Sequence, residues 1–205
     1  MNRLVQVSQT LRTLLSPLVV AAGFTVLSVS CSDLQVIDPL DGVSQTLLNQ
    51  DSVRVDFPDD FGGEIVVAGF IYTHCPDICP AITANMSNVN RSLKKSEGVR
   101  FVGITFDPLR DTPSVLKEYM RQFNLDEERF TFLTGDTASV DSLLDALNIY
   151  AEVSYTKTTE EGRELYFINH TNRITLLDRS GRIRAEYNGS HSKPEHIVED
   201  INKLR

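Results

Sequence analysis

The chain has 205 residues, 41% of them hydrophobic and 23% charged, which suits one well-packed globular domain plus an N-terminal extension. Its formal net charge of −8 at pH 7 argues against nucleic acid or an anionic membrane surface as the partner of the folded part. That charge suits a small cation, or a partner protein with a basic face.

The first 31 residues read as an export segment. Arg3 and Arg12 supply a positive start, and the 18 residues from Thr13 to Ser30 carry no charge. Such a stretch is about 27 Å long if helical. Small residues Ser28, Val29 and Ser30 then precede Cys31, as in a signal peptide. A Cys directly after that stretch resembles a bacterial lipoprotein signal, in which Cys31 would carry the lipid; Ser28 stands where Leu is usual. An uncleaved membrane anchor and a simple cleaved signal are the alternatives. All three place the following domain outside the cytoplasm, attached to or facing a membrane in an oxidising compartment.

Residues 32–50 are polar and irregular and read as a linker, with the domain at 51–205. Val53–Phe57 predicts a short strand, and the apolar run Gly63–Tyr72 a buried central one. Pro80–Leu93 shows helical spacing at Ile82, Met86, Val89 and Leu93, with Pro80 suited to the first turn. Val99–Phe106 predicts a strand. Asp111-Thr112-Pro113 opens a helix, with Asp111 the expected cap. Phe130–Leu133 predicts a strand, and Thr134-Gly135-Asp136 leads into another helix. Residues 151–169 read as a loop or an irregular hairpin insertion. Two strands around Arg179-Ser180-Gly181-Arg182 form a hairpin, and Pro194–Leu204 a last helix. Strands alternating with helices, then a hairpin and a helix, predict an α/β thioredoxin-like fold: a central mixed sheet with helices on both faces.

Two of the three cysteines, Cys75 and Cys79, stand in His74-Cys75-Pro76-Asp77-Ile78-Cys79-Pro80, at the carboxyl end of a strand and the start of a helix. Sites in α/β sheets gather there. The spacing of four can present both sulfurs to one point, and the helix N-terminus favours thiolate over thiol. Two thiolates can close a disulfide or hold a soft metal ion such as Cu(I), or Cu(II) with nitrogen ligands. A metal needs a further ligand. His74 would point away from Cys75, and His191 and His196 read as exposed or capping residues. His170 precedes the strand that a thioredoxin-like fold runs beside the cysteine pair. Thioredoxins carry a cis-proline there, and this chain has no proline between Pro113 and Pro194.

HCPDICP, FDPLRDTP (Phe106–Pro113) and NHT (Asn169–Thr171) together resemble the Sco/SenC family over residues 50–204. The resemblance implies copper, as Cu(I) or Cu(II), bound by Cys75, Cys79 and His170. It also implies a membrane-tethered metallochaperone at the periplasmic face of a bacterial inner membrane. Its partner would be the copper-receiving subunit of cytochrome c oxidase or another extracytoplasmic copper protein. Asn169 stands where the family usually has Asp. Asp107 and Asp111 border the same site and are expected to orient His170 or to hold charge near the metal; a turn starter and a helix cap are their plainer roles. The alternative function is a metal-free thiol–disulfide oxidoreductase in which Cys75 attacks and Cys79 resolves.

Overall fold

The computed structural model describes residues 34–160, 162 and 164–205. The predicted export segment and Cys31 lie outside these residues. Among the described residues, no helix is long and apolar enough to cross a membrane.

In chain order the elements begin with β1 (Gln45–Asn49), β2 (Arg54–Phe57), β3 (Ile65–Ile71), α1 (Ile78–Ser92), β4 (Val99–Thr105) and α2 (Pro113–Gln122). There follow β5 (Phe130–Thr134), α3 (Thr137–Ala146), β6 (Ala151–Thr158), β7 (Glu164–His170), β8 (Arg173–Leu177), β9 (Ile183–Asn188) and α4 (Pro194–Lys203). Seven strands form one mixed sheet in the order β2-β1-β5-β4-β3-β8-β9, while β6 and β7 make a separate two-stranded hairpin. β3, β4 and β5 run parallel, and β8 pairs antiparallel with β3. Every residue of β3 is buried, as expected of a central strand covered on both faces.

Packing sets where α1 lies. A Cβ added at Gly69, in the middle of β3, would come within 2.4 Å of Met86 Sδ and 3.1 Å of Ile82. Only a glycine lets this helix approach the strand so closely. α2 joins the same layer through the Tyr119 ring, which meets the Phe132 ring edge-on at 5.8 Å, and through the Tyr119 hydroxyl, 2.9 Å from Thr83 Oγ1 on α1.

The predicted linker at 32–50 needs correction. Gln45–Asn49 is strand β1, paired with both β2 and β5, and Leu40 and Leu47 are buried in the core. Asp38 bridges to Ile183, so the domain begins before residue 51. Polar, irregular sequence hid a strand whose place in the sheet is set by a distant partner, β5. The 151–169 segment is the hairpin of the two earlier readings, with a bulge between Val153 and Tyr155. The helix after β4 is capped by Thr112, whose side chain accepts from Val115 N at 3.4 Å, and not by Asp111.

Candidate metal centre

β3 ends at Ile71 and the chain turns before α1 starts at Ile78. The turn is closed by Cys75 N donating to Tyr72 O at 3.2 Å. Cys75 therefore lies in the turn and Cys79 in the first helical turn. The sulfurs converge because the turn folds back, and not because both residues share a helix face. Cys79 N donates to Cys75 Sγ at 3.4 Å, and Tyr72 N donates to Cys79 Sγ at 3.4 Å. Neither cysteine is in a disulfide, and both are buried.

His170 closes the cluster from the end of β7. Its Nε2 lies 3.5 Å from Cys79 Sγ, and its Nδ1 lies 3.1 Å from the backbone oxygen of Thr171. A carbonyl can only accept, so Nδ1 carries the proton and the Nε2 lone pair faces the sulfurs. The ring is held by Phe106, centroids 4.6 Å apart, and by the edge of Tyr72 at 6.0 Å. One ligand atom from each of Cys75, Cys79 and His170 lies within 4.8 Å of the other two. Two sulfurs and an imidazole nitrogen in a largely buried cluster are a donor set for a soft or borderline metal ion.

The two thiols are electrostatically unlike. The hydrogen bond from Cys79, followed by those from the backbone N–H groups of Cys79 and Asp77, pulls Cys75 down to about 3 despite its burial. Burial, and then the hydrogen bond to Cys75, pushes the Cys79 thiol far up. The metal-free pair is thus one thiolate and one thiol sharing a proton.

Neither expected carboxylate reaches His170. Asp111 is fully buried and grips the cysteine loop. It accepts from Thr73 Oγ1 at 2.5 Å, Thr73 N at 3.0 Å and Thr105 Oγ1 at 2.6 Å. Burial raises its pKa, and these hydrogen bonds oppose the rise. Asp107 takes Arg110 Nε at 2.5 Å and the Tyr166 hydroxyl at 2.7 Å. It ties the loop after β4 to the hairpin, and the orienting group on His170 is a backbone carbonyl instead. His74 is exposed with Nδ1 at 3.1 Å from Thr73 Oγ1, His191 belongs to the Asn188–His191 turn, and His196 is exposed on α4. Sequence reasoning missed Tyr72, Phe106, Arg110 and Tyr166. The FDPLR run held two of them, but only folding shows that they line this site.

A family model for SCO1/SenC matches residues 42–205, four-fifths of the chain, including all three clustered residues. The chain belongs to the SCO1/SenC family. Solved structures agree. Bradyrhizobium japonicum ScoI with copper bound is 30% identical, over 80% of this chain and 99% of its own, with a TM-score of 0.69. A SCO1/SenC family lipoprotein from Bacillus anthracis is 26% identical, over 79% of this chain and 93% of its own, with a TM-score of 0.65. BsSco is a member of the Sco family of cytochrome c oxidase assembly proteins in which a disulfide switch has been identified. It is 26% identical, over 84% of this chain and 95% of its own, with a TM-score of 0.63. The match spans 88% of the SCO1 protein homolog of Bacillus subtilis, but about half the length of the mitochondrial SCO2 homologues of mouse and human.

Proposed function

We propose that this protein is a copper metallochaperone that serves assembly of the copper centre of cytochrome c oxidase. The observation that carries this reading is the convergence of Cys75 Sγ, Cys79 Sγ and His170 Nε2 within 4.8 Å. The ion is cargo. Cys75 and Cys79 hold it as thiolates, and His170 supplies the nitrogen whose lone pair the Thr171 carbonyl leaves free. Binding must displace the Cys79 proton, so loading releases protons. Thiol–disulfide exchange with a disulfide of another protein would pass two electrons to it and leave the pair as a disulfide, which removes both thiolate ligands and couples copper release to thiol redox state. The N-terminal segment, by lipid at Cys31 or as an anchor, tethers the domain on the extracytoplasmic side; the lipoprotein among the relatives supports this. The copper-receiving subunit of the oxidase, or another extracytoplasmic copper protein, is the partner.

The test adds one equivalent of Cu(II) to the reduced protein and looks for a thiolate-to-copper charge-transfer band. Absence of the band, or its survival in both Cys79→Ala and His170→Ala, counts against the site.

A second reading is a thiol–disulfide reductase, favoured by the asymmetry of the pair. Cys75 would attack a partner disulfide and Cys79 would displace the partner from the mixed disulfide. The low pKa that guarantees a Cys75 thiolate also blunts its nucleophilicity, which tips the balance toward metal. Disulfide reduction undiminished in His170→Ala is the outcome that favours the reductase.

A further inference from the structure

Apolar surface gathers beside the metal cluster. Leu109, in the loop after β4, is 78% exposed, and Val153 on β6 is 53% exposed, although both are large and apolar. Tyr155, Leu165 and Phe167 of the same hairpin are exposed as well, on the face that strand alternation turns away from Val153, Tyr166 and Ile168. Exposed apolar side chains scattered singly carry no meaning, but Leu109 and Val153 border one common cavity. Between the loop, the hairpin and α3 lies a cavity of about 300 Å³, walled mainly by Phe106, Pro108, Leu109, Val153, Tyr166 and Ile168, with Asp107, Thr137, Asp141 and Thr156 as its polar part.

The walls of this cavity are held in place. The Arg110 guanidinium stacks 3.5 Å above the Tyr166 ring and bonds Asp107, while Asp107 accepts from the Tyr166 hydroxyl. Ile168 N donates to the Tyr72 hydroxyl at 3.4 Å. The hairpin is thereby pinned to the body, and the cavity exists before anything enters it. Preorganised pockets of this kind accept anchor residues at protein interfaces.

Phe106 is the link to the site. One side of it walls the cavity, and its ring packs on His170. Cys75 and Cys79 are buried, and His170 is the half-exposed member of the cluster. His170 therefore offers an exchanging protein a point of approach at the hairpin end, next to the cavity.

We propose that the cavity between the loop after β4 and the β6–β7 hairpin seats one large apolar side chain, leucine- or phenylalanine-sized, projected by the copper-receiving protein beside its own metal-binding residues. This rests on the metallochaperone reading. The exchange needs no electron. Each bond lost to Cys75, Cys79 or His170 is replaced by one from the partner, and the Cys79 thiolate left behind regains its proton from solvent. The anchor holds the two ligand sets together while these bonds change over.

The test measures copper transfer from the Cu(II)-loaded protein to two acceptors, a small Cu(II) chelator and the soluble copper domain of cytochrome c oxidase. The variants are Leu109→Ser/Val153→Ser, which strips the rim, and Leu109→Trp, which obstructs the cavity. Both should keep the charge-transfer band and yield copper to the chelator at the wild-type rate. Transfer to the oxidase domain should slow about tenfold or more. Wild-type transfer by both variants overturns the docking site and leaves the metallochaperone reading standing. Slowing toward both acceptors alike also overturns it, because the effect then acts on the ligands. A wild-type protein that binds copper but gives none to the oxidase domain overturns the reading and the docking site together.

Discussion

The backbone oxygen of Thr171 lies 3.1 Å from Nδ1 of the preceding residue, His170. This one contact sets the tautomer and so turns Nε2 toward Cys79 Sγ, 3.5 Å away. Metal-binding histidines commonly use a carboxylate or a carbonyl for this purpose. Here the chain supplies the carbonyl locally, at the junction between β7 and β8.

That relationship predicts the imidazole state of the metal-free protein. In mildly alkaline buffer, nitrogen NMR should find His170 as the Nδ1–H tautomer, whereas exposed His74 should show a mixture. A dominant Nε2–H form at His170 would place a proton where the ligand lone pair belongs and remove the nitrogen from the site.

The reduced protein should show one thiolate across the neutral and mildly acidic range. Cys75 lies at about 3, so its thiolate absorbance persists as pH falls and disappears only near that value. Cys79 is displaced upward and adds nothing until strongly alkaline pH. The largest cause of the Cys75 shift is the Cys79 hydrogen bond. Cys79→Ala should therefore move the Cys75 transition upward. Two thiolates titrating together near the ordinary cysteine pKa would contradict the asymmetry.

Asp111→Asn places an NH2 donor among the donors Thr73 N, Thr73 Oγ1 and Thr105 Oγ1 in a fully buried pocket. We expect a loss of about 1–3 kcal/mol in stability by urea denaturation, the usual cost of an unsatisfied buried polar group. Because Thr73 lies two residues before Cys75, copper affinity should also fall, by about tenfold or more. A variant with wild-type affinity would show that the cysteine loop holds its shape without Asp111.

Asp178 makes the turn between β8 and β9 and pairs with Arg182 at 2.8 Å and Arg184 at 2.7 Å. Burial disfavours its charge, yet hydrogen bonds from Arg182, Arg184 and the backbone of Ser180 and Arg182 hold its pKa at about 2. A depressed carboxylate stabilises the fold above its ordinary pKa and loses that contribution as pH falls through the depressed value. Asp178→Ala leaves the buried Arg184 charge without its partner and should cost about 3 kcal/mol at neutral pH. The difference from wild type should narrow as pH approaches about 2. A pH-independent difference would mean that the carboxylate charge is not what matters.

Much of this protein was legible in its residues. The all-apolar run ending at Ile71, the helical spacing of Ile82, Met86 and Val89, and the turn at 179–182 are local patterns that read directly as a strand, a helix and a hairpin. Cys75 and Cys79 could be singled out because four residues keep two sulfurs near one another in almost any turn or helix. His170 could be singled out because it stands where a thioredoxin would carry proline. Other features depend on contacts far apart in sequence. β1 joins the sheet because distant β5 pairs with it, and its five residues carry too weak a pattern to show that alone. Asp111 reads as a helix cap from its neighbours, and becomes a buried clamp only when Thr73, 38 residues earlier, folds against it. The tautomer of His170, the asymmetry of the two thiols and the cavity behind Phe106 arise from burial and from hydrogen-bond partners that only the folded chain brings together. The residue types were decided by the sequence; which atom holds a proton, and which face a partner can reach, were decided by packing.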